Sequence, residues 1–305
     1  MDSLNYSPKY SEDEFTALHQ YARGRTDFRL APVHIVGIDT KRLIAGRSID
    51  VQDFVAPTVW VDYYKDMRKH ADPNPGPAVL PNDIVRKLNI PITVDTIQVE
   101  DGTIQIRERD LNVDSTGNFD FQHVKVSAAP LTLDSASSLV DTPTTFDLSG
   151  IFIAQAPTHV RMVYPLHDSA LDLTVDGTVG PFDLKQLNQY LVNAARVEVT
   201  RGQFHHADIK LNINGDVANT TAVPIYDHFK IKVLPPDPND PPDLMEGVKT
   251  FLANALILRD DNPDDKGGTP KVGVTTLQRQ PSQEFFQFLW LAIRKSLGAV
   301  VGGMK

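Results

Sequence analysis

The side chains best suited to chemistry fall in three places. His205 and His206 are adjacent in "RGQFHHADIK", "LHDS" (Leu166 to Ser169) sets His, Asp and Ser in succession, and "DDNPDDKGG" (Asp260 to Gly268) crowds carboxylates. Neighbours on a strand point to opposite faces, so the two histidines are not expected to share a metal. A nucleophilic triad needs members converging from separate positions, so LHDS reads as a loop. Asp260, Asn262 and Asp264 match the first, third and fifth ligands of a calcium loop. Asp265 stands where the sharp turn wants glycine, however, and Lys271 where a glutamate should ligate, so a charged turn is expected. No glycine-rich phosphate loop, HExxH or GxSxG pattern occurs. Nothing in the spacing pairs two carboxylates, so no catalytic residue, metal or cofactor is expected and the chain reads as non-enzymatic.

Composition narrows the rest. The 305 residues are 41% hydrophobic, include 22 prolines and no cysteine, and carry a net charge of −9. Without cysteine there are no disulfides, thiolate metal sites or cysteine nucleophiles. A net negative chain is a poor match for phosphate backbones, so nucleic acid is not an expected partner. No stretch approaches the ~20 apolar residues of a membrane span. The opening "MDSLNYSPKYSEDEF" lacks the basic start and apolar core of a secretory signal.

The elements that must position these residues show mainly a period of two. In "ALDLTVDGTV", Leu171, Leu173, Val175 and Val179 alternate with polar residues. "HADIKLNINGDV" reads as one run with Ile209, Leu211, Ile213 and Val217 on one side. "DHFKIKVL" adds Phe229, Ile231 and Val233, and "THVRMVYPL" adds Val160, Met162, Tyr164 and Leu166. Such alternation marks strands with one apolar and one wet face, and parallel sheets would show continuous apolar runs instead. The expected fold is mainly β: a curved antiparallel sheet, groove or open sandwich, with a few short helices. Asp101-Gly102 is followed by a full alternating strand and reads as a tight hairpin. Gly177 has too little sequence after it for a return strand and reads as in-line. Gly180-Pro181 then ends the strand, and Asp183 caps a helix in "LKQLNQYLVNAA".

"VEVTRGQF" from Val197 repeats the pattern of "IQVEDGTI" from Ile97 at an offset of 100 positions (197 against 97), which suggests two repeat-like units, about 27–166 and 167–280, in a single segment. "HADPNPGPAVLP" (70–81) and "LPPDPNDPPDL" (234–244) read as extended connectors outside the sheet. "DLMEGVKTFLANAL" (243–256) reads as a further helix. Over 281–303, Phe286, Leu289, Trp290, Ile293, Leu297, Val300 and Val301 recur at helical spacing, which predicts an amphipathic C-terminal helix that covers part of the sheet. Its aromatic and basic residues Phe285, Phe286, Trp290, Ile293, Arg294 and Lys295 are candidate contacts to a membrane surface or a protein partner.

Several stretches together resemble the carboxy-terminal portion of the AsmA-like, TamB-related envelope proteins: "LNIPITVDTIQVEDGTIQIRER", "LTVDGTVGPFDLKQLNQYL", "VEVTRGQFHHADIKLNINGDV", "FLANALILRDDNP", "PSQEFFQFLW" and, earlier, "VHIVGIDTKRLIAGRSIDVQDFVAPTVWVDYYKDMR". The resemblance implies long curved sheets whose apolar faces line a groove for phospholipid acyl chains, a periplasmic and membrane-associated setting, and a role in outer-membrane biogenesis. It also implies an inner-membrane anchor that this sequence does not show. On that reading Leu171, Leu173, Val175, Ile209, Leu211, Ile213, Phe229, Ile231 and Val233 are the expected lining, with phospholipid or an envelope protein as partner. The rival expectation is a closed scaffolding sandwich that binds a protein through its C-terminal helix. A carbohydrate-active enzyme would instead need two carboxylates roughly 5–10 Å apart in a cleft.

Overall fold

A computed structural model describes residues 3–109, 116–195, 197–234, 258–265 and 267–302. The chain runs β1 (Leu4–Tyr6), α1 (Glu12–Leu18), β2 (Gly24–Leu30), β3 (His34–Val36), α2 (Thr40–Ile44), β4 (Ile49–Asp66), α3 (Pro81–Leu88), β5 (Ile92–Arg109), β6 (Thr116–Ala129) and β7 (Leu131–Thr132). It continues through β8 (Thr144–Phe152), β9 (Ala156–Tyr164), β10 (Leu173–Val179), β11 (Phe182–Asp183), a 3-10 turn (Leu184–Leu187), α4 (Asn188–Ala195), β12 (Val197–Asn214), β13 (Val217–Val233), β14 (Gly273–Gln278) and α5 (Phe285–Val301). The expected helix at 243–256 and nearly all of the connector at 234–244 lie outside the described residues.

The strands form one open, curved sheet ordered β1-β2-β4-β5-β6-β8-β9-β10-β12-β13-β14, with β3, β7 and β11 paired at its margins. Pairing among the described strands is antiparallel except between β4 and β5, which run parallel from Ile49↔Ile92 to Asp66↔Arg109. A parallel pair needs a crossover. The segment 67–91 supplies it, with the proline-rich connector outside the sheet followed by α3.

The two Asp-Gly-Thr copies have the same solution, against the expected hairpin at the first. β5 passes straight through Asp101-Gly102, because β4 pairs on both sides of it (Thr58↔Asp101, Val59↔Gly102, Trp60↔Thr103). The antiparallel partner β6 shifts register there instead, and a Cβ on Gly102 would sit 3.1 Å from the Val124 carbonyl oxygen. Gly177 is in-line as expected, between Val160 and Ile209. The tight hairpin lies elsewhere, at Gly215-Asp216, where Asn214 pairs with Val217 and Gly215 has φ +58°. "HADIKLNINGDV" is therefore two strands rather than one. Asp183 caps the 3-10 turn as expected, its side chain accepting from the Lys185 N–H at 2.9 Å.

The stretches matched at an offset of 100 occupy comparable places. Each follows a short helix, begins or lies within an 18-residue strand, and has its glycine beside a register shift. At each shift the partner strand carries a histidine in the left-handed region, His123 (φ 52°) on β6 and His228 (φ 53°) on β13.

Candidate functional site

Side-chain alternation and strand register together assemble one apolar side. A single row runs Phe54↔Ile97↔Ala128↔Phe146↔Met162 and on through Val175, Leu211, Thr220 and Thr275, crossing β4 to β14. The next row runs Ala56↔Val99↔Val126↔Leu148↔Val160 and on through Gly177, Ile209, Ala222 and Gly273. The opposite side carries Asp62, Arg107, Asp147, Arg161, Asp176 and Lys210, so it is the wet face, in part covered by α1.

The apolar side is covered unevenly. At the β12–β14 end, α5 presses Phe288 and Ala292, both fully buried, onto Leu173, Val175, Leu211 and Ile213. Phe285 stacks on Tyr164 with ring centroids 5.6 Å apart and planes 6° from parallel. The seat is cut by small residues: a Cβ on Gly273 would lie 2.0 Å from the Ser296 carbonyl oxygen, and Ser296 Oγ donates to the Gly273 carbonyl at 2.7 Å. The buried stripe of α5 is thus Phe285, Phe288, Ala292, Ser296 and Val300, turned from the expected one because the smallest residues set the closest approach. α3 closes the neighbouring corner through Leu80 and Val85, and the buried Asn82 accepts from Tyr164 Oη at 3.0 Å. At the other end α4 bridges β6 and β12. Tyr190 stacks on Phe119 (4.1 Å) and donates to Glu108 (2.9 Å), and Asn188 bonds both Val199 N and Val199 O.

Between these covers the apolar side of β4, β5, β6 and β8 is only half-buried: Val59, Val61, Val99, Ile104, Ile106, Phe121, Val126 and Leu148 are neither fully buried nor exposed. The strands between β6 and β12 would hold them ~19 Å apart in a flat sheet, yet one eight-residue helix touches both. The sheet therefore curves toward its apolar side. Burial pushes the Tyr63 phenol of β4 up to about 12, and the carboxylates of Glu284, at the start of α5, and Glu108 add to it. Burial likewise raises Tyr190, helped by Glu108 and opposed by Arg294 of α5. Glu284 and Arg294 of α5 thus lie within electrostatic reach of Tyr63 on β4 and Tyr190 on α4.

The residues expected to line a groove are found mostly beneath α5. Leu171, Leu173, Val175, Leu211 and Ile213 belong to the core cluster with Phe288, and Ile209 packs with Ala207, Ala222, Ile293 and Leu297. Phe229 and Ile231 are half-buried in the cluster under α4, and Val233 is half-buried at the end of β13. The expected contact residues divide as well. Phe286 (78% exposed), Trp290 (48%) and Arg294 face outward, Phe285 and Ile293 face the sheet, and Lys295 Nζ donates to the Thr276 carbonyl at 2.8 Å. The half-buried wall of β4–β6 was not among the expected lining.

The chemistry-bearing clusters are occupied locally. A bulge between Phe204 and His206 breaks the alternation, and both histidines are about half-exposed, each bonded to its own carboxylate: His205 to Asp227 at 2.8 Å and His206 to Asp208 at 3.1 Å. Asp264 takes Arg259, Asp260 takes Lys230, and Asp261 accepts from the His228 N–H, so the acidic stretch is a charged turn. Within it Asn262, fully buried, bonds Pro224 O and both backbone groups of Lys271 and pairs with Tyr226, sealing the edge of β13. Among the described residues no group of three or more His, Asp or Glu is placed to hold a metal, and no helix is long and apolar enough to cross a membrane. Two depressions of about 360 and 390 Å³ lie on the wet face, one around Thr174, Lys210 and Asn219, the other around His123, Lys125 and His159. No protein-family model matches the chain, and no curated protein matches it.

Proposed function

We propose that this is a non-enzymatic protein that holds phospholipid acyl chains along the trough between the β4–β6 wall and the outer stripe of α5, as an envelope protein contributing to outer-membrane biogenesis. The observation that supports it is the asymmetry of cover. One continuous apolar side is buried beneath α5 at its β10–β13 end, bridged by α4 between β6 and β12, and only half-buried elsewhere over β4, β5, β6 and β8. Hydrocarbon left against water costs about 25 cal/mol per Å², a cost that a bound fatty tail relieves. Tails would slide along Val61, Ile104 and Phe121 while head groups stay in water. The setting follows from the family resemblance of the sequence. Lipid extraction and mass spectrometry of protein purified without detergent should recover phospholipid in stoichiometric amount; protein devoid of lipid would defeat the proposal.

Phe286 and Trp290, exposed on α5, favour a second reading, a scaffold that grips a protein partner through this helix. On that reading Phe286→Ser with Trp290→Ser abolishes partner binding and the purified protein carries no lipid.

A further inference from the structure

The end of the sheet where β4 and β5 begin carries a feature unrelated to the trough. Ile49 and Ile92 are neighbours in the parallel pair, and the Ile49 N–H donates to the Pro91 carbonyl at 2.7 Å, so the segments preceding the two strands lie side by side. One is α2, the other α3, and both turn apolar side chains to water. Ile44 is 86% exposed, with Leu43 beside it, and Ile84 and Leu88 lie one turn apart on the face of α3 away from its buried Asn82 and Val85.

Their surroundings are cationic in a chain of net charge −9. Residues 38–50 and 81–90 hold five Lys or Arg against three Asp, and Asp134 also lies near Arg42, which leaves a slight positive excess. Four carboxylates nearby make local bonds. Asp39 caps α2, Asp50 pairs with Arg42 at 2.5 Å, Asp83 pairs with Arg86 at 2.8 Å, and Asp134 accepts from the Ala136 N–H. Lys41, Arg47 and Lys87 are exposed and make no ion pair with any described residue.

We propose that this end docks on an anionic phospholipid bilayer, with Ile44, Leu43, Ile84 and Leu88 entering the interfacial layer and Lys41, Arg47 and Lys87 meeting head-group phosphates. Protruding isoleucine and leucine at the tips of short helices, ringed by free cations, match an interface that is apolar below and negative above. A protein interface would instead offer a packed, charge-depleted centre. The inference stands whether or not the trough holds lipid.

The test is co-sedimentation of the full chain with vesicles of phosphatidylethanolamine containing phosphatidylglycerol, against neutral phosphatidylcholine vesicles. Wild type should bind the anionic vesicles and lose them at high salt. Lys41→Gln/Arg47→Gln/Lys87→Gln should weaken partition about fivefold per cation, about a hundredfold in all. Ile44→Ser/Leu88→Ser should weaken it by about tenfold or more. All these sites are exposed, so melting and any lipid recovered from the purified variants should match wild type, which separates failure here from failure of the trough. Equal partition onto neutral and anionic vesicles, or partition unchanged in both variants, overturns the proposal. So does Ile44→Ser/Leu88→Ser dissociating an oligomer without changing partition, which would make this end an interface between copies of the chain.

Discussion

Gly273→Ala probes how α5 is seated. The new Cβ would stand 2.0 Å from the Ser296 carbonyl oxygen and 2.9 Å from its carbon, where ordinary contact begins at 3.4 Å. Backbone on both sides leaves no flexible side chain to yield, so helix and strand must part by ~1.4 Å over contacts that are otherwise close-packed. Overpacking of this kind costs about 1–3 kcal/mol. The displacement also breaks the Ser296–Gly273 hydrogen bond, worth about 1 kcal/mol. A total of about 2–4 kcal/mol in a chain of this length lowers the melting midpoint by about 3–6 °C. Thermal unfolding followed by circular dichroism reads this directly, with Gly76→Ala as the control, because a Cβ there meets nothing within 4 Å. If Gly273→Ala melts with Gly76→Ala, α5 does not lie where this reasoning puts it.

Other perturbations separate core from wall. Leu211→Asp places a charge among fully buried side chains and should leave little folded protein in a solubility and circular dichroism assay, whereas Ile104→Asp, at a half-buried site, should cost less and still yield folded protein. Arg107→Met strands the buried Asp62, which Arg107 grips through Nε (2.6 Å) and Nη2 (2.5 Å), and should cost about 3–5 kcal/mol by urea denaturation. Asn262→Ala leaves the Pro224 carbonyl and the Lys271 backbone without partners and should cost about 2–4 kcal/mol in the same assay. Burial disfavours ionised Asp66, but the Arg68 hydrogen bonds outweigh it and hold the carboxyl below the usual range. That stability is present above the unfolded carboxylate pKa of about 4 and is lost as pH falls through the lower folded value. Acid titration of the melting midpoint should show wild type losing this contribution as pH falls through that range, while Arg68→Gln, which lacks it already at neutral pH, shows no such loss.

Much of the strand layout was legible because period two is local. Leu173, Val175, Leu211, Ile213 and Met162 fall on the apolar side as their alternation implies. Period two does not say whether a strand turns or continues. Gly102 looked like a hairpin because alternation resumes after it, and only the distant pairing with β4 keeps the strand straight. The real turn at Gly215 was masked because Val217 keeps step with Ile213. The open half of the apolar side was not legible either. Which strands stay uncovered depends on where α5 docks, and that is fixed by the close approach of two small residues on different elements, Gly273 and Ser296. α1 carried a readable signal, the Ser11–Glu14 capping box, but seven residues without an apolar stripe gave no period to find.

The most direct test uses the two tryptophans as opposed reporters. Trp290 is exposed on α5 beside the proposed acyl-chain path, while Trp60 lies on the wet face under Arg29, 4.6 Å from its guanidinium. Phospholipid brominated on its acyl chains should quench Trp290 fluorescence in Trp60→Phe and leave Trp60 unquenched in Trp290→Phe. Absence of quenching in Trp60→Phe, or equal quenching of both, would contradict acyl chains lying between α5 and the β4–β6 wall.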